Sequence, residues 1–74
     1  MKAKDLKEQG LVPDWTNFLT RSKAGGITAY VERPVMRLGF FGKNWYSTGK
    51  SELVPGVVVD EFADKPWDQC LYAY

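Results

Sequence analysis

Apolar residues recur with two different periods along this chain, and the change comes at Gly25-Gly26. Ahead of it, Leu11, Trp15, Phe18, Leu19 and Ser22 recur at helical spacing. This predicts one apolar face on a helix from about Pro13 to Lys23. Pro13 suits a first helical turn, because the N–H it lacks would have no partner there. Asp14 stands near the positive end of the helix dipole, and Arg21 and Lys23 near the negative end. A shorter helix is predicted over Lys2 to Gln9, where good helix formers end at Gly10. Only Ala3 and Leu6 give it apolar contacts, so residues 1–10 are expected to be loosely attached and frayed unless they pack on the body.

Past Gly26 the period is two. Ile27 to Glu32 alternates and is rich in β-branched residues, the pattern of a strand that Arg33-Pro34 breaks. Val35 to Phe41 reads as a second strand, with Met36, Leu38 and Phe40 on one face and Val35, Arg37 and Phe41 on the other. Gly42-Lys43-Asn44 is the expected turn, and Trp45 to Thr48 the returning strand of a hairpin. Leu53-Val54 and Val57-Val58-Val59 read as strand segments flanking a Pro55-Gly56 turn. Asp60 to Lys65 is expected to be a loop or helical turn, and Trp67 to Tyr74 a terminal strand. The order predicts a single α+β domain over residues 1–74. One or two N-terminal helices would pack on a small antiparallel sheet of about four to five strands.

Composition sharpens this picture. A chain of 74 residues supports one domain with a thin stability margin. One cysteine, Cys70, leaves no disulfide within the chain, and histidine is absent. The zinc ligands used most often are therefore missing, and neither a metal nor a cofactor is expected. Three tryptophans, four phenylalanines and four tyrosines supply most of the buriable area. Met1-Lys2-Ala3-Lys4-Asp5 is followed by no apolar run of a secretory signal, and Val57-Val58-Val59 is far too short to span a bilayer. A cytoplasmic location with no membrane partner is the default expectation.

Charge is almost balanced overall, at +1, but not along the chain. Residues 21–50 carry Arg21, Lys23, Arg33, Arg37, Lys43 and Lys50 against Glu32 alone. Residues 51–74 carry Glu52, Asp60, Glu61, Asp64 and Asp68 against Lys65 alone. The two segments either form separate charged patches or lie side by side and neutralise each other.

Catalytic patterns do not emerge. Gly49-Lys50-Ser51 has the ending of a phosphate-binding loop, but Asn44 stands where its first glycine belongs. The following Leu53-Val54-Pro55-Gly56 cannot continue a helix. Asp60, Glu61 and Asp64 lack the spacing of a calcium loop. Nucleophilic catalysis has no histidine base, and Cys70 in an apolar stretch reads as an inert buried thiol. A non-enzymatic protein is the expectation.

Contact surface is then the remaining means of action. Arg37, Phe41, Lys43, Trp45, Tyr46 and Lys50 interleave cations with aromatics around one hairpin, and Asp60, Glu61, Asp64 and Trp67 form an acidic counterpart. Together they are the candidate partner-binding residues. The favoured reading is a small regulator or inhibitor that occupies a surface of a larger protein. Its size and lack of motifs suit the accessory proteins that bacteriophages direct at host polymerases or nucleases. The alternative is single-stranded nucleic-acid binding through the basic, aromatic hairpin at residues 35–50.

Overall fold

Ala3 and Leu6 lie one helical turn apart, and both are fully buried. They are the inward face of α1, Ala3–Glu8, in a computed structural model that describes residues 1–74. The helix stops where the sequence predicts. Gly10 takes φ +70°, its N–H donates to the Lys7 carbonyl, and the Leu11 N–H donates to the Leu6 carbonyl. This is the paired closure of a Schellman motif, which glycine reaches without a Cβ penalty. Long-range contacts also hold α1 against the body. The Glu61 carboxylate accepts from the Ala3 N–H at 2.9 Å, and the Tyr74 hydroxyl donates to the Ala3 carbonyl at 2.6 Å.

The predicted second helix is replaced by a turn and a strand. Pro13 accepts from the Thr16 N–H, and β1 follows at Phe18–Arg21. Both neighbours of β1 are antiparallel: β2, Ile27–Tyr30, on one side and β6, Leu71–Ala73, on the other. A helix here would leave β6 without a partner and one edge of β2 unpaired, and the ladder bonds outweigh a helical propensity that is only moderate for Trp, Phe and Thr. Leu19 and Thr20, adjacent in sequence, are both buried, which fits a central strand covered on both faces.

Six strands form two antiparallel sheets, one of four strands in the order β5-β2-β1-β6 and one of two, β3-β4. The chain is thus mostly sheet with one short helix, a leaner form of the expected α+β architecture. Strands β3, Val35–Gly39, and β4, Gly42–Tyr46, make a hairpin inserted between β2 and β5, Ser51–Val54. Ser51 opens a strand, so Gly49-Lys50-Ser51 is no phosphate loop.

Leu19, Ala29, Ile27 and Val54 share one sheet face by register. They join Ala3, Leu6, Val12, Val59, Phe62 and Cys70 in one core. Beyond the Pro55-Gly56 turn, Val57 to Val59 form no strand, although Val59 is buried and the Val58 carbonyl accepts from the Met1 amino group. Short 3-10 turns occupy Asp60–Phe62 and Trp67–Gln69, so the terminal strand is shorter than the predicted Trp67 to Tyr74. No helix is long and apolar enough to cross a membrane.

Candidate functional site

The β3–β4 hairpin is an arm with one braced face, one open face and an apolar tip. Alternation across its register puts Met36, Trp45, Leu38 and Lys43 on one side and Val35, Tyr46, Arg37 and Asn44 on the other. Met36 and Trp45 are half-buried. The Trp45 indole N–H donates to the main-chain carbonyls of Arg21 at 3.1 Å and Trp67 at 3.3 Å. Farther along the same face, Lys43 Nζ meets Asp68 Oδ2 at 2.8 Å. That hydrogen bond holds the Asp68 carboxyl below its ordinary value. On the open face the Arg37 guanidinium stacks over the Tyr46 ring at 4.6 Å.

The arm turns earlier than its sequence suggests. Gly39 pairs with Gly42, so Phe40 and Phe41 are the two loop residues, and Lys43 and Asn44 belong to the returning strand. Neither phenylalanine takes a positive φ, which excludes the primed turns usual in two-residue hairpins. Gly42, at φ +109°, makes the left-handed step instead. Phe40 and Phe41 are 96 % and 95 % exposed, with their rings edge to face at 5.1 Å. Leu38, 79 % exposed, continues the apolar surface down one side.

Of the predicted contact residues, the arm gathers Arg37, Phe41, Lys43, Trp45 and Tyr46, with Trp67 at its base. Lys50 lies apart, its ammonium over the Trp15 ring at 5.1 Å. The acidic residues do not form one patch. Asp60 pairs with the Met1 amino group at 2.9 Å, and Glu61 caps α1. Asp64 is exposed at a φ of 63°. The basic and acidic segments therefore meet directly at Lys43–Asp68, while Asp60 and Glu61 are engaged by the N-terminal segment. Phe40, which belongs to the predicted basic and aromatic hairpin, and Leu38 stand outside the candidate contact residues. Their signal is the Gly-Phe-Phe-Gly bracket, in which the two glycines frame the turn.

One concavity, of about 380 Å³, lies away from the arm tip and is lined chiefly by Ile27, Val57, Val59, Phe62 and Trp67. Its ionisable lining residues are Arg21 and Lys23, both cations. Arg21 is committed to a hydrogen bond with the Lys65 carbonyl. No group of three His, Cys, Asp or Glu side chains stands close enough to hold a metal ion. Cys70 is fully buried, its sulfur 3.3 Å from the Pro66 carbonyl. No protein-family model, no curated protein and no solved structure matches the chain.

Proposed function

We propose that this protein is a non-enzymatic regulator or inhibitor that acts by covering a surface of a larger protein with its β3–β4 arm. The observation that carries the reading is the pair of exposed phenylalanines at the tip. Turn positions favour Gly, Pro, Asn, Asp and Ser for conformational reasons that phenylalanine does not share. In a small domain that needs its aromatics for the core, two rings left in solvent serve neither the turn nor the fold. Contact with a partner gives them a role. A nucleic-acid enzyme such as a polymerase or nuclease is the class of target we favour, as its charged surfaces suit an arm of this composition.

Affinity capture from a nuclease-treated lysate tests this, with the unaltered chain and a Phe40→Ser/Phe41→Ser variant run side by side. One protein, retained by the first and lost by the second, is the expected result. Recovery of no protein specific to the unaltered chain would sink the proposal.

A second reading, single-stranded nucleic-acid binding, draws on one feature. Residues 33–50 carry Arg33, Arg37, Lys43 and Lys50 and no acid, and Tyr46 is accessible on the open face. Trp45 cannot be a stacking platform while its indole is bonded beneath the arm. A Tyr46→Ala/Phe41→Ala variant is thus the informative one. Absence of oligonucleotide binding by the unaltered chain at low salt removes this reading.

A further inference from the structure

Resting on the protein-binding reading, we infer that the receiving site on the partner is an apolar cleft rimmed by carboxylate. Phe40 and Phe41 enter it as a preformed plug. Three features of the arm define that cleft. First, the two rings together offer roughly 300–500 Å² of apolar surface, within the range of ~300–600 Å² at which the largest patch on a monomer is often functional. With Leu38 beside them, they need a recess rather than a flat face. Second, the cations stand behind the tip. Arg37 and Lys43 lie three and two residues from the nearer phenylalanine, which is roughly 7–10 Å at the rise of a strand. A cleft that swallows the rings therefore brings its rim against Arg37, and no acid within residues 33–50 opposes a carboxylate there. Third, the plug is set before binding. The indole bonds of Trp45 and the Lys43–Asp68 pair fix the arm, and the rings already pack edge to face. Little backbone freedom in the arm is left to be lost on docking.

The same charges disfavour the other occupants. Recognition of anionic lipid uses clusters of about 4–8 basic residues. Near the tip only Arg37, stacked on Tyr46, lacks a carboxylate partner, because Lys43 is held by Asp68. Two copies meeting tip to tip would set like-charged arms against each other.

Photo-crosslinking from the tip tests the inference. The full chain carries a photoreactive phenylalanine analogue at position 40, or at exposed Val58 as a comparison site. It is irradiated in nuclease-treated lysate. In parallel it is irradiated with vesicles of phosphatidylcholine, with or without phosphatidylserine. The expected result is one protein adduct from position 40, on a segment where apolar residues adjoin Asp or Glu. Its yield should fall at least tenfold with Phe41→Ser. It should fall with Arg37→Glu and recover when the adjoining partner carboxylate is changed to Arg. Adducts with lipid or with a second copy overturn the inference. So does a rim without a carboxylate whose reversal rescues Arg37→Glu. A protein adduct from 58 with none from 40 overturns it too, yet leaves protein binding intact. No protein adduct from either position defeats both. Circular dichroism of each variant guards against misfolding, which the exposure of these side chains makes unexpected.

Discussion

Replacing Trp45 with phenylalanine should loosen the arm more than breaking its only ion pair. The change keeps most of the ring and removes the N–H that donates to the Arg21 and Trp67 carbonyls. A neutral hydrogen bond of this kind contributes about 0.5–1.5 kcal/mol net. The smaller ring forfeits a few tens of Å² of buried area, which adds under ~1 kcal/mol. Together these give about 2 kcal/mol, or roughly 30-fold in an equilibrium constant. The Lys43–Asp68 pair is partly exposed, with side chains 52 % and 28 % accessible, respectively. Solvent screens a pair of that kind, which is worth about fivefold at most in an equilibrium constant. Amide hydrogen exchange over residues 35–46 reads the difference, since these amides exchange when the arm opens. Trp45→Phe should raise their rates roughly 30-fold, and Asp68→Asn no more than about fivefold. An equal or larger effect of Asp68→Asn would refute the reasoning and make the ion pair the brace.

Two further outcomes follow from the core and the α1 anchor. Leu6→Ala should cost about 2–5 kcal/mol, most of what a domain this small has to lose; urea denaturation monitored by tryptophan fluorescence measures it. Tyr74 has its pKa pushed up from 10.0 to about 12, first by desolvation and then by the charges of Tyr72 and Glu61. Because the folded value is the higher one, this contribution to stability is intact below pH 10.0 and is lost as pH climbs through about 12. Phenolate absorbance should show one tyrosine titrating late, and Tyr74→Phe should flatten stability over that interval.

The sequence was most legible where local chemistry alone decides the conformation. Gly10 ends α1 because the closure of that helix involves only residues 6–11. The period of two marks Ile27–Tyr30 and the β3–β4 pairing, since alternation is visible within each strand. Residues 13–23 misled because Leu11, Trp15, Phe18 and Leu19 satisfy a helical face as written, and the decision is made elsewhere. One partner of β1 comes from residues 71–73, which no local window contains. The candidate site divides in the same way. Its hairpin and most of its arm residues follow from composition. The position of the turn depends on φ at Gly42, and the withdrawal of Asp60 and Glu61 depends on contacts with the first residues of the chain.

That distant anchoring of α1 also dictates when it can form. Six residues fall well short of the length at which a helix persists alone in water. What steadies it arrives from residues 61 and 74, at separations of 58 and 71 positions. Helix α1 should thus be among the last elements to settle, waiting on β6 and the residues that precede it. Its Ala3 amide becomes protected only once the whole chain has come together.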